Sequence, residues 1–508
     1  MKSRSVSRPN ARHRGSLALM PPTYIRLADS LEAMIRKRSF RPGDRMPSVR
    51  QFSREQRVSI PTAMHAYATL ESRGQIEARP RSGFYVCARF ADSIPEPLSA
   101  PVAPKVSDLA HTDPQGLFRK LDDDPTKIPF GSAIPSPDLL PGLRLARVMS
   151  RVARRLGADG GNYGPADGPL ILRREIARRS LAAGLNLTPD DICITSGATE
   201  AIAMALHAVC SPGDTVVVES PTYFGLLRHL RELGLKALPI PVDANEGIDL
   251  DALALALART RVSALLLIPN FHNPVGFAMS DRNKKELVRI AASRNLPIIE
   301  DDLFGDIVHQ GARPHALKAF DPTGVVIHCS SYSKSIAPGY RIGYIAAGKW
   351  QERVLALKRA HSAGNPLLPA LAVGEFLKDG GYDRFMRSFR ESCRQQIARM
   401  RDAIGHMFPE EIRLSRPAGG YVLWCELPGN LDSMLLFEAA LNAGIVIAPG
   451  PFFSPDGGFR NFIRINCAFP WTSRIEHGVQ TLGQLVRELI VRSPQSSKRR
   501  PSAQSRVI

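Results

Sequence analysis

Between residues 128 and 488 the chain repeats one pattern: a short run of β-branched and apolar residues, then an amphipathic helical stretch. Thr215-Val216-Val217-Val218, Ala264 to Ile268, Pro297-Ile298-Ile299 and Val325-Val326-Ile327 are such runs. A strand that is apolar throughout must be covered on both faces. Alternating helices do this by packing on the two sides of a mainly parallel sheet. The pattern therefore predicts an α/β fold with a large, mainly parallel sheet and helices on both faces.

The rest of the 508 residues divides by composition. Residues 1–20 are rich in Arg and Ser and read as a disordered basic tail. Residues 21–90 read as a compact module. Residues 91–127, with Ile94-Pro95-Glu96-Pro97 and Ala100-Pro101-Val102-Ala103-Pro104, read as an extended linker stiffened by proline. Residues 489–508 read as a second loose basic tail. The net charge of +19 follows this division. Residues 1–90 hold about 18 basic and 6 acidic side chains, and the last 17 residues hold about five basic and no acidic ones. The body between them is nearly neutral. A basic head on a neutral body points to a polyanion partner, or more plainly to a solvated basic face. The seven cysteines are scattered, without a C-x-x-C pair, so neither a disulfide framework nor a metal site is expected, and a cytoplasmic setting is the simplest. No apolar run is long enough to span a bilayer, so no membrane partner is expected.

In the head, Ile25, Leu27, Ala28, Leu31, Met34 and Ile35 recur at helical spacing over Tyr24 to Lys37. Ser48 is placed to cap a second helix, Val49 to Glu55, and Ser59 a third that stops near Gly74. Ile76-Glu77-Ala78 and Phe84-Tyr85-Val86 flank the basic tip Arg79-Pro80-Arg81-Ser82-Gly83. Three helices and a basic hairpin make a winged helix-turn-helix, whose third helix can enter the major groove. The stretch Pro42-Gly43-Asp44-Arg45-Met46-Pro47-Ser48-Val49-Arg50, with Val58-Ser59, Thr62, Ala66-Tyr67, Leu70, Gly74 and Arg81-Ser82-Gly83-Phe84-Tyr85-Val86, resembles the GntR family. The resemblance implies a double-stranded DNA operator as partner. Arg50, Ser59, Thr62, His65, Arg79, Arg81 and Gly83 would be the DNA-facing residues. Ile60 departs from it, since a basic residue is usual there. A plain three-helix dimerisation module is the alternative.

In the body the most specific string is Ser330-Ser331-Tyr332-Ser333-Lys334-Ser335, running on to Pro338-Gly339-Tyr340-Arg341-Ile342-Gly343 after an apolar strand. A lysine that attacks a carbonyl needs a neutral, partly desolvated amine. Hydroxyls and an arginine at this spacing suit a phosphate monoester. Gly197-Ala198-Thr199 opens a helix after a strand, offering free amides to the same kind of group. Tyr223 can stack on a ring, Asn273 can bond a ring hydroxyl, and Asp301 ends a buried strand where it can hold a pyridine nitrogen protonated.

These segments, together with Tyr163-Gly164-Pro165-Ala166-Asp167-Gly168 and Gly419-Gly420-Tyr421, resemble the class I, fold-type-I aminotransferases over residues 128–488, which implies a smaller α+β lobe at the C-terminal end of the body. The resemblance implies pyridoxal 5'-phosphate (PLP) as a Schiff base on Lys334, which would also move the proton between Cα and C4'. Asp301 would pair with the ring nitrogen and Asn273 with the 3'-oxygen, and Tyr223 would stack. Gly197, Ala198, Thr199, Ser331 and Arg341 would bind phosphate, with Tyr163 contributed by a partner subunit. Arg464 would grip a substrate carboxylate. Leu303 and Phe304 stand where a tyrosine is usual, which removes one phenol from the ring oxygen. A GntR-like head on such a body resembles the MocR subfamily of transcription regulators. That resemblance implies a head-to-tail homodimer sensing PLP or a small amino compound. The alternative is a working aminotransferase with an accessory N-terminal domain. A PLP carrier without a DNA role would leave the basic wing unexplained.

Overall fold

The computed structural model describes residues 22–36, 39–40, 44–72, 75–79, 82–86, 94–97, 104–107, 109, 114–122 and 124–492. The chain divides into two compact units, one ending at Ser93 and one beginning at Ile94. The tail 1–20, residues 493–508 and Arg81 lie outside the described residues, as does the side chain of Arg79.

The first unit contains α1 (Thr23–Arg36), α2 (Val49–Glu55), α3 (Ile60–Ser72) and the antiparallel hairpin β1 (Ile76–Arg79) and β2 (Gly83–Val86). The Ser48 side chain accepts from the Gln51 amide and so starts α2. Among the described residues ten buried apolar side chains form the core, including Leu31, Phe52, Tyr67, Leu70 and Val86. Tyr67 lies between Phe52 and Phe84, and its hydroxyl donates to the Pro47 carbonyl at 2.8 Å. This ties the turn before α2 to the third helix and the wing.

The second unit begins earlier than composition suggests. In the stretch read as an extended linker, Ile94 is buried, the Pro95 carbonyl accepts from Leu414, and Ser107 bridges to Ala237. Residues Pro114–Asp122 form a helix, α4, that buries Phe118 against Phe224 and Phe452. The physical reason is the apolar pair Leu117 and Phe118 with Leu121 one turn on, an amphipathic pattern hidden among polar neighbours.

The large sheet has the strands β4 (Cys193–Thr195), β5 (Thr215–Ser220), β6 (Lys236–Asp243), β7 (Gly247–Ile248), β8 (Ala264–Leu267), β9 (Ile298–Asp301), β10 (Val326–Ser331) and β11 (Gly343–Ala346). A short strand, β3 (Ile128–Pro129), precedes them and pairs with Ile445–Val446. The spatial order in the large sheet is β4-β11-β10-β9-β8-β5-β6-β7. The five central strands, from β10 to β6, are parallel, while β11, β4 and β7 are antiparallel to their neighbours. Separate apolar clusters line its two faces, as the fully apolar runs require. A four-stranded antiparallel sheet, with Val422–Glu426 and Phe462–Asn466 at its centre, forms the smaller lobe. Its last helix runs from Ser473 to Arg492, four residues past the boundary expected at 488.

Candidate ligand site and nucleic-acid interface

In the head, α3 buries Ala63, Ala66, Tyr67 and Leu70 and exposes Ile60, Pro61, Met64, His65 and Ala68. Ser59 caps the helix: its Oγ accepts from the Thr62 amide at 3.2 Å and lies 2.8 Å from Thr62 Oγ1. The two hydroxyls expected at the groove are thus bonded to each other. His65 is exposed, edge-on to Tyr24 at 5.7 Å between centroids. Arg50 is exposed on α2, and Gly83 is exposed at the start of the second wing strand with φ +112°. Arg45 was not singled out by sequence reasoning. It bridges to Tyr85, and its Nε stands 3.4 Å from where a Cβ on Gly83 would be, so its guanidinium lies across the wing. The only sequence signal was its place beside Asp44 in the turn.

In the body, a cavity of about 810 Å³ opens at the C-terminal ends of the parallel strands, where α/β sheets bind ligands. Ala198, Thr199, Tyr223, Asn273, Asp301, Ser331, Lys334 and Arg341, all singled out from sequence, line it. After α5 (Gly142–Leu156) and α6 (Leu170–Ser180), Gly197 adjoins them at the start of the helix α7 (Gly197–Val209), with φ +77°. A Cβ there would stand 2.5 Å from Arg341 Nη2, so glycine is needed both for backbone and for space. Arg341 donates to the Ser196 carbonyl at 3.0 Å and to Ser333 Oγ at 3.2 Å. Ser331 Oγ donates to Ser333 Oγ at 2.9 Å. Ser333 lines the cavity as well and was missed as a site residue, although it stands in the Ser-x-Ser-Lys string.

Three consecutive acids close the end of β9 and the turn after it, and their surroundings separate them. Glu300 accepts from the Leu317 and Lys318 amides and pairs with His328 at 3.0 Å. Asp302 accepts from Asn270 Nδ2 at 3.0 Å and pairs with Arg313. Asp301 faces the cavity instead, because successive strand residues point to opposite sides. Its Oδ1 is buried without a hydrogen-bond partner. Burial and then the charge of Asp302 push its carboxyl up to about 7 from 3.8.

Lys334 Nζ donates to the Ala133 carbonyl at 2.6 Å. The same carbonyl accepts from Tyr421 Oη at 3.3 Å, a phenol whose proximity to the lysine the sequence did not signal. Phe304 lines the cavity and meets the Tyr421 ring edge-on at 5.1 Å; Leu303 lines it too. Arg464 is fully buried beneath Phe224 and Phe453, donating to Asn273 Oδ1 at 2.9 Å and to the Gly131 carbonyl. Its fork is occupied by protein acceptors rather than turned to the open cavity. Tyr163 is 94 % exposed and is not among the lining residues of this chain's cavity. Gly116 and Phe118 of α4 also line the cavity.

Residues 130–482 match the family of class I and II aminotransferases, and residues 23–86 match the gntR family of bacterial regulatory proteins. The chain belongs to the aminotransferase class I and II family and carries a gntR head. It is a DNA-binding transcription regulator of the MocR architecture. The regulator is 39 % identical to the uncharacterized HTH-type transcriptional regulator YdcR of Escherichia coli, over 92 % of this chain and 99 % of that one. It is 31 % identical to the 2-aminoadipate transaminase of Thermus thermophilus, over 73 % of this chain and 93 % of that one. Among solved structures it is similar to LysN, the α-aminoadipate aminotransferase of that organism, complexed with N-(5'-phosphopyridoxyl)-L-leucine. The TM-score is 0.70 at 29 % identity, covering 75 % of this chain and 96 % of that one. Among the described residues no helix of the regulator is long and apolar enough to cross a membrane.

Proposed function

We propose that the regulator binds PLP at Lys334 and uses it to sense a small amino compound, or PLP itself, and that the ligand state changes operator binding. One observation carries this reading: a lysine amine and a buried carboxyl with one oxygen lacking a hydrogen-bond partner face one cavity, beside a cup of amides, hydroxyls and a guanidinium. The fit to PLP is chemical. A protonated pyridine nitrogen would supply the donor that Asp301 Oδ1 lacks, and its charge would draw the carboxyl back down to its ionised form. The α7 N-terminus with Ser331, Ser333 and Arg341 would hold the phosphate. Tyr223 would cover the ring and Asn273 would bond its hydroxyl. When bound, PLP supplies an electron sink for a carbon that bears an amino group.

The chain's own residues then orient and gate. Lys334 would carry the cofactor at Nζ and move a proton there. Arg464 would read a carboxylate only by leaving the Gly131 carbonyl, and Gly131 abuts Phe118: a Cβ on Gly131 would stand 2.9 Å from that ring. A ligand changes a second site only if it binds two arrangements unequally. Breaking the contact from Arg464 through Gly131 to α4 would make such a difference, and α4 follows the head in the chain. A head-to-tail homodimer would present two heads to two half-sites and bring the partner's copy of Tyr163 to the phosphate. An operator as partner would put this work in the cytoplasm.

Lys334→Ala is the test. Borohydride reduction should leave no stable cofactor adduct in the variant, and ligand-dependent operator binding should vanish while basal DNA affinity stays within about threefold, or about 0.7 kcal/mol. A full ligand response in this variant would sink the proposal. The second reading, a working aminotransferase, is favoured by the lysine motif, which is intact and lines the cavity. It predicts that an amino acid bleaches the visible band and a 2-oxo acid restores it.

A further inference from the structure

A winged helix places the N-terminal part of its recognition helix against base edges. In this chain that part exposes large apolar side chains: Ile60 keeps 50 % and Met64 45 % of its surface in solvent. Neither belongs to the core of the head, so neither is needed there for packing. Four residues apart, they share one face of α3, about 6 Å from each other along the axis. That is close to two base-pair steps of about 3.4 Å. The nearby hydroxyls of Ser59 and Thr62 are engaged with each other, and Ser59 also with the helix amide. Arg50 and Arg54 on α2 and Arg57 in the turn before α3 are exposed, and guanidinium groups there suit phosphates rather than an apolar protein partner. In the major groove of B-DNA the apolar group on display is the thymine C5-methyl.

We propose that Ile60 and Met64 read thymine methyl groups, so that each half-site of the operator carries two thymines one or two steps apart. The proposal rests on the head being a DNA-binding module, and goes beyond it by naming what the helix reads.

The test uses the full chain with PLP. Duplexes selected from a random-sequence library should carry the thymine pair at that spacing. Each selected thymine is then replaced by deoxyuridine, which keeps the pairing edge and removes only the methyl group. Affinity measured by fluorescence anisotropy should fall about fourfold per replacement, the worth of one buried methyl. Ile60→Ala should lose the preference for thymine over uracil at one position and Met64→Ala at the other. Both side chains are exposed, so the variants should melt with the parent. Equal affinity for thymine and uracil duplexes, or variants that keep the parent's preference, would overturn the proposal while leaving the regulator reading intact. A parent chain that selects no sequence at all would overturn both.

Discussion

The head and the body solve opposite problems. The head is small, keeps ten apolar residues inside, and turns its functional side chains outward from α2, α3 and the wing. The body draws its functional groups inward, from β5, β9 and β10, the start of α7, the smaller lobe and α4, onto one cavity. An exposed reading face can be changed with little cost in folding, whereas a converging cavity ties its chemistry to the packing of every contributing element. Mutations should therefore separate binding from stability in the head and couple them in the body.

The largest expected effect breaks the head alone. Tyr67→Ala removes a fully buried ring packed on Phe52 and Phe84 and should cost about 3–5 kcal/mol. A domain of this size has little more stability than that. Calorimetry should show the head transition lost or shifted far down while the body transition and PLP content stay with the parent. A matching fall of the body transition would mean that the two units do not fold independently.

The second effect belongs to the body and depends on pH. The folded value for Asp301 lies above its ordinary one, so the folded chain holds the proton longer than the unfolded chain. Without PLP, the contribution of Asp301 to stability should be full below about pH 4, be lost as pH rises and level off above about 7, by about 2–4 kcal/mol. Asp301→Asn should flatten that slope in urea unfolding followed across pH. With PLP bound, a protonated ring nitrogen beside the carboxylate should remove most of the slope in the parent as well. An unchanged slope in Asp301→Asn would assign the pH dependence to other groups.

What the sequence made legible follows the same division. α2 has the bounds read from its cap and apolar spacing, and α3 starts just after the Ser59 cap, because these signals are local, while Lys37 and Gly74, where α1 and α3 were expected to stop, lie outside the described residues. The lysine string, Asp301 and the start of α7 could be read because strand ends and helix starts position chemistry in an α/β sheet. Helix α4 was not legible, since a few apolar residues in a Pro- and Asp-rich stretch read as linker until Phe224 and Phe452 supply a surface for them. The approach of Tyr421 to Lys334 was hidden for another reason. The two are 87 positions apart, and only the fold brings both to the Ala133 carbonyl. Likewise, Arg464 could be read as a fork for a carboxylate, but not as one already closed on Asn273 and Gly131.

The smallest predicted effect compares two buried phenols. In the head, Tyr67 Oη donates to the Pro47 carbonyl at 2.8 Å, which the phenylalanine variant would lose outright. Tyr67→Phe should cost about 1–1.5 kcal/mol, read from the urea midpoint of the head transition. In the body, Tyr421 Oη makes a longer bond of 3.3 Å to a carbonyl that Lys334 Nζ already engages at 2.6 Å. Removing this phenol leaves no buried acceptor unsatisfied, so Tyr421→Phe should cost only about 0.5 kcal/mol in the body transition. PLP affinity separates the two roles that remain for Tyr421. If the phenol only packs against Phe304 and Ala133, PLP affinity should stay within about threefold of the parent, or about 0.7 kcal/mol. A loss above tenfold with an unchanged midpoint would make the phenol part of the ligand machinery, supplied by the smaller lobe on the side of Phe304.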